Sequence, residues 1–262
     1  MITFVFGLFF RKIFTRKSLL AKLIFEIISL TLTVAVIFYA SESFELKTGL
    51  ENREKLSLFV FLLVGEIALI FPMSFSERLL AHFLEIRHQQ FYFTLVGLKI
   101  SPTRFVFGKA LADSIFPLVR VMVILGICTL FLGLQLSFLN LLIFFGLQIL
   151  ATCLFSIMAL ITCLCYLKFN RGVGLFHTLQ SFAAIIGGVY FPNQIFPSSI
   201  KNFSDMLPQT QILHASRLVF SDQSVSSKSY LVILSWILLL AGIWSILNRF
   251  IISWQKQHAR FP

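Results

Sequence analysis

Long apolar runs alternate with short clusters of charge along this chain, and six of the runs reach the about 20 mainly apolar residues that a bilayer crossing takes. They cover residues 19–40, 56–75, 110–134, 139–167, 172–191 and 229–252. The expected fold is an all-α polytopic membrane protein with six transmembrane helices in one transmembrane domain, 1–262. The runs are unevenly spaced. A short charged loop (41–55), a few residues after 134 and a basic turn (168–171) make three of the connections. The other two, 76–109 and 192–228, are too long to be turns.

Ahead of the first run, residues 1–18 predict an amphipathic helix. At 100° per residue Phe6, Phe9, Phe10, Ile13 and Phe14 share one face. Arg11, Lys12, Thr15, Arg16 and Ser18 lie opposite, with Leu8 and Lys17 as exceptions. Such a helix lies in the membrane interface. A cleavable signal is not expected, because the positive charges follow the apolar residues instead of preceding them.

Composition agrees with a membrane protein. Hydrophobic residues make up 58% and charged residues 13% of the 262 positions, against about 25% charged in a soluble domain. The net charge of +11 would point to nucleic acid in a soluble chain, but here the cations gather at the ends of apolar segments, as in cytoplasmic loops. No nucleic-acid partner is expected. With the N-terminus inside, fifteen Lys and Arg fall on inner segments and six on outer ones, leaving Arg120 within a span. That bias places both termini in the cytoplasm. Cys128, Cys153, Cys163 and Cys165 all lie in apolar segments, and the five histidines show no metal-binding spacing. No metal is expected.

Glu66 and Arg120 are ionisable residues deep in spans. Rises of about 15 Å from Leu56 and about 16 Å from Lys109 bring both near the midplane. Charges there face the bundle and seek partners, so each is an expected partner of the other. Asp113, seven residues before Arg120, is an alternative. The pair reads either as an internal tie between spans two and three or as a polar relay or substrate contact.

The inner connection, 76–109, predicts a helix from Ser76, a plausible cap, to about Leu98, then a turn at Ser101-Pro102. This reads as an elbow suited to docking a partner or as an ordinary solvated cytoplasmic loop. The outer connection is cut by Gly187-Gly188, Pro192, Pro197 and Pro208, yet Ile195, Phe196, Ile200, Phe203, Met206 and Leu207 keep it apolar. Broken apolar pieces at a membrane face dip back into protein, so a re-entrant segment is expected before the last helix.

In this order and placement the features resemble the ABC-2 family of transporter permeases, the membrane halves of ABC exporters. The residues that carry the likeness run from Gly187-Gly188-Val189-Tyr190-Phe191-Pro192 through Pro197 to Leu207-Pro208-Gln209-Thr210, Leu213 and Arg217. They look like the family's GxxFP…LP…LPxT…R pattern, while Ser101-Pro102-Thr103-Arg104 with Gly108-Lys109 looks like its turn into span three. One departure is clear: family elbows carry a Glu-x-x-x-Gly-Thr run, and the residues after Glu85 include Arg87, His88, Gln89 and Gln90 but no Gly-Thr.

The resemblance implies a transport subunit, not an enzyme, in a bacterial cytoplasmic membrane. A separate ABC ATPase, in two copies, would bind ATP and Mg; this chain would hold no cofactor, and it has no GxxxxGK[ST] loop. Glu85, Arg87, His88, Gln89 and Gln90 would face the ATPase. Gly187, Gly188, Phe191, Pro192, Pro197, Pro208 and Arg217 would form the re-entrant segment. Two permease copies would pass a glycan, lipid-linked glycan or other amphiphile between them, with a drug or small lipid as the alternative cargo. A membrane-embedded transferase is the competing class, and His82, His88, Glu77 and Glu85 are its local residue cluster. A channel lacks support, having neither a pore-like repeat nor an acidic ring.

Overall fold

The computed structural model describes residues 25, 28–39, 41, 52–88, 102–131, 137–169, 171–189, 196–221, 223 and 225–258. The interfacial helix expected at 1–18, and Gln89, Gln90, Ser101, Phe191 and Pro192, lie outside them. The described residues are helical and contain no strand. In chain order the helices are α1 (Ile28–Tyr39), α2 (Asn52–His88), α3 (Pro102–Asp113), α4 (Ile115–Phe131), α5 (Phe138–Phe169), α6 (Val173–Ile186), α7 (Ser198–Met206), α8 (Pro208–Phe220) and α9 (Ser227–His258).

Four stretches among the described residues are long and apolar enough to cross a membrane: Leu58–Ile86, Arg104–Ile127, Phe138–Phe169 and Ser227–Arg249. Two further apolar helices, α1 and α6, are shorter. The chain is therefore a membrane protein, helical and without strands among its described residues.

Three boundaries differ from the expectation. Helix α2 runs through Ser76 to His88, 37 residues or about 55 Å, instead of ending at 75. Ser76 is not a cap. Its hydroxyl donates to the Met73 carbonyl at 2.8 Å, a bond within the helix, and the residue is fully buried. From Phe75 to His88 no Gly or Pro interrupts, so the helix has no reason to stop.

Helix α3 starts at Pro102, before the expected 110, and gives way to α4 at Ser114. Pro117 accounts for the break. It has no N–H for the carbonyl of Asp113, four residues back, and its ring crowds that carbonyl. The hydroxyl of Ser114 turns back onto the Ala110 carbonyl at 2.7 Å.

The fifth apolar run forms only the 14-residue α6. At about 21 Å it falls short of the roughly 30 Å hydrocarbon core.

Helix α2 also contains Pro72 but stays continuous. The carbonyl that this proline deprives of a donor is that of Ala68. The Gln148 side-chain amide, from α5, donates to it at 3.0 Å and reaches the Ile67 carbonyl at 3.4 Å. In an apolar interior such a substitute donor is what allows a proline inside a span.

Two apolar cores flank this bond along α2. The larger joins Leu63, Ile67 and Val64 of α2 to Ile124 of α4, Phe144, Leu147 and Phe155 of α5, and Ile212 and Leu213 of α8. Phe144 meets Phe220 edge to face, with ring centres 5.3 Å apart. The smaller joins Phe75, Leu79 and Leu80 to Val106, Cys163 and Phe176. Helix α8 is thus wedged among α2, α5 and α9, and α3 packs beside the far half of α2.

Candidate functional site

Two polar constellations stand out against this apolar frame, one toward each end of α2.

The first is built where α6 stops. Gly188 has φ +85°, a conformation that glycine enters without the Cβ penalty. Its N–H donates to the Ile185 carbonyl and that of Val189 to the Ala184 carbonyl, the paired bonds of a Schellman cap. Three carbonyls beyond those, of Ile186, Gly188 and Val189, point into the bundle and need donors. Ser204 of α7 donates to Ile186 at 2.7 Å. Arg217 of α8 donates through Nη2 to Gly188 at 2.7 Å and to Val189 at 3.3 Å.

Arg217 is held from its other side by α2. Its guanidinium lies over the Phe61 ring, 3.4 Å from the centroid, a stacking that suits a delocalised cation. Beside it, Gly65 leaves room that no other residue would. A Cβ there would stand 2.7 Å from the Val189 carbonyl oxygen and 3.0 Å from Arg217 Nη2. Burial lowers the Arg217 pKa to about 10, so the group remains a cation at neutral pH. A cation at this place also complements the negative end of the α6 dipole.

The remaining re-entrant residues shape the α7–α8 hairpin. Pro197 caps the start of α7 with extended backbone, and Leu207 is extended before Pro208, which opens α8 at its first position. That is where a residue without an N–H costs nothing. Thr210 meets Ser204 hydroxyl to hydroxyl at 3.4 Å. Trp236 Nε1 donates to the Met206 carbonyl at 2.9 Å, tying the hairpin bend to α9. Of the re-entrant residues expected from sequence, Gly188 and Arg217 touch; Gly187 is buried next to them, and Pro197 and Pro208 set the helix ends.

The second constellation joins α2 to α3. His82 Nε2 lies 2.9 Å from Asp113 Oδ2 and His82 Nδ1 lies 3.1 Å from Glu85 Oε2. Lys109 donates to the same Glu85 oxygen at 2.6 Å, and Arg78 stands 4.0 Å from Asp113. Both ring nitrogens of His82 are therefore occupied, which leaves it unsuited to act as a free base. Glu85, expected to face an ATPase, is 40% exposed at this junction. Arg87 and His88 follow in the last helical turn of α2. Glu77 faces His177 of α6 at 4.0 Å.

The expected pairing of Glu66 with Arg120 takes a different form. Arg120 Nη2 donates to Thr33 Oγ1 of α1 at 2.7 Å. Asp113 is engaged by His82, on the far side of the break at Ser114. Arg120 therefore ties α4 to α1 and not to Asp113.

Sequence inspection missed Phe61, Gly65, Gln148 and Ser204. Pro72 was the available signal for Gln148, since a proline in an apolar helix implies a donor somewhere near the fourth carbonyl before it. Among the described residues no three His, Cys, Asp or Glu side chains are grouped to hold a metal. No protein-family model matches the chain, and no curated protein is similar enough to count as a relative.

Proposed function

We propose that this chain is the membrane permease of an ATP-driven exporter of the ABC-2 kind. The observation that carries the proposal is the clasp of Arg217 on Gly188 and Val189. It holds a short apolar helix, α6, and a two-helix hairpin, α7–α8, against the long strut α2. Helices that end inside a membrane protein, with their exposed backbone met by side chains, are the architecture of transport paths more than of anchors.

Helix α2 supplies the linkage. Phe61 and Gly65 on it hold the clasp, while His82 and Glu85, about 30 Å further along at 1.5 Å per residue, hold α3. Two ATPase subunits would dock beneath the α2–α3 junction, near Glu85, Arg87, His88, Gln89 and Gln90. Closure of those subunits on ATP would push α2 and α3 together, because Lys109–Glu85 and His82–Asp113 link them. The displacement would reach the hairpin through an unbroken helix, a rigid-body transition biased by ligand.

In this scheme ATP and Mg belong to the ATPase, two permease copies form the path, and both termini are cytoplasmic. The cargo class is a glycan, a lipid-linked glycan or another amphiphile, leaving a bacterial cell across its inner membrane.

Co-purification with any ABC ATPase encoded beside the chain tests the proposal, followed by ATPase assays in lipid nanodiscs. A stable complex whose ATP hydrolysis changes on adding the permease is expected. Glu85→Ala combined with Lys109→Ala should weaken that change while the chain still folds. Absence of any complex would end the proposal.

A further inference from the structure

Two hydrogen bonds gauge the depth of the α7–α8 bend independently. Trp236 Nε1 donates to the Met206 carbonyl, and Trp236 stands roughly 14 Å along α9 from the start of the spanning stretch Ser227–Arg249. Ser204 donates to the Ile186 carbonyl at 2.7 Å. Helix α6 and its cap run from Gln180 beside Ser76 to Val189 against Gly65. Ile186 therefore lies deeper than Gly65, which is itself about 10 Å past Leu58, where the α2 span begins. From the bend, α8 leads to Arg217 beside Phe61 and Gly65, and the chain then enters α9. Both depths thus count from the same end of the bundle. In a hydrocarbon core about 30 Å thick the bend is near the middle.

The side chains around it do not suit lipid. At 100° per residue Lys201, Asn202 and Asp205 share an arc of about 100° on α7, and all three are exposed. Gln211 of α8 adjoins them, its amide donating to the Asp205 carbonyl at 2.7 Å. Ile200, Phe203 and Met206 fall on a separate arc, so the polar groups look to one side. Lys201 is within about 8 Å of Met206 along α7; at any tilt the polar arc stays inside the core. Among the described residues neither Lys201 nor Asp205 makes an ion pair. Unpaired charges at such depth are costly in hydrocarbon and face water-filled cavities instead. Helix ends at this level are likewise tolerated only against protein or water.

We propose that the α7–α8 hairpin is one wall of a water-filled vestibule that enters the bundle from the end where α9 begins and reaches about the middle of the bilayer. Water occupies the polar face, hydrating Lys201, Asn202, Asp205 and Gln211 where lipid would leave them unpaired. The vestibule admits small hydrophilic solutes and excludes acyl chains. This inference depends on the chain being a membrane protein and not on its being coupled to an ATPase, so the two proposals fail separately.

The test uses the full-length chain with its four cysteines replaced by Ala, in phosphatidylcholine nanodiscs that leave both membrane faces open to reagent. Asn202→Cys and, as a control, Leu238→Cys are treated with a charged, membrane-impermeant methanethiosulfonate. Leu238 lies just past Trp236 on α9 and is 73% exposed, so it reports a lipid-facing site at similar depth. Modification of position 202 at least tenfold faster than position 238 is expected. Equal, slow modification at both would show that no water reaches the hairpin and would overturn the proposal. Oxidative cross-linking of Asn202→Cys between copies, with no modification by the reagent, would overturn it in favour of a second copy covering this face. Lys201→Cys repeats the measurement should Asn202→Cys fail to fold, which circular dichroism and gel filtration report.

Discussion

The side-chain amide of Gln148 donates to the carbonyl of Ala68 at 3.0 Å, the group that Pro72 leaves without a helical partner. One polar residue on α5 thereby lets the longest helix of the bundle carry a proline without breaking. Everything that α2 positions, from Phe61 and Gly65 to His82 and Glu85, depends on its remaining one rod.

Gln148→Leu should therefore lower stability by about 1–2 kcal/mol, the cost of a buried carbonyl losing its donor. Pro72→Ala restores an N–H for Ala68. In that background the same change at Gln148 should cost much less. Unfolding in mixed micelles measures both, and equal losses in the two backgrounds would show that Gln148 does not serve the proline.

Gly65→Ala places a methyl 2.7 Å from the Val189 oxygen. Backbone must move, and a loss of about 1–3 kcal/mol is expected, as for other overpacked sites. Gly126 and Gly242 are internal controls, since a Cβ at either meets nothing within 4 Å. Alanine at those positions should be neutral or slightly stabilising through helix propensity. A tolerated Gly65→Ala would mean that α6 does not approach α2 so closely.

Arg217→Lys keeps the charge but loses the planar group that stacks on Phe61 while donating to Gly188 and Val189. Destabilisation close to that of Arg217→Ala is expected, with increased protease cleavage between α6 and α7. A lysine that restored wild-type protection would reduce the role of Arg217 to its charge.

The two ion contacts of the α2–α3 junction should differ in worth. Lys109 and Glu85 are 28% and 40% exposed, so Lys109→Met should cost under about 1 kcal/mol. Asp113 is 8% exposed and faces His82 and Arg78. Its replacement by Ala strands the buried His82 and should cost about 3 kcal/mol or more. Comparable losses from the two variants, read by chemical unfolding, would contradict this ordering.

Sequence by itself determined the membrane class and the helical content, because both follow from summed properties of neighbouring residues. Runs of apolar side chains need lipid or a core, and a backbone in lipid must bond to itself as helix. It also marked Gly188, Pro197 and Pro208, which act on their own backbone and now stand at helix ends. Span lengths were less legible. The polar composition after Phe75 suggested an exit from the membrane at Ser76, yet nothing local stops the helix there, and Gln180 of α6 donates to the buried Ser76 hydroxyl.

Tertiary structure alone decided the pairings. Arg217 could be singled out as a cation near a broken segment, but its partners, Phe61, Gly188 and Val189, lie up to 156 positions away. Arg120 was matched to Glu66 by depth alone, whereas Thr33 of α1 receives its hydrogen bond. Depth along a helix follows from the rise per residue; which neighbour faces a side chain depends on how helices rotate and cross, and that is set by the packing of the whole bundle.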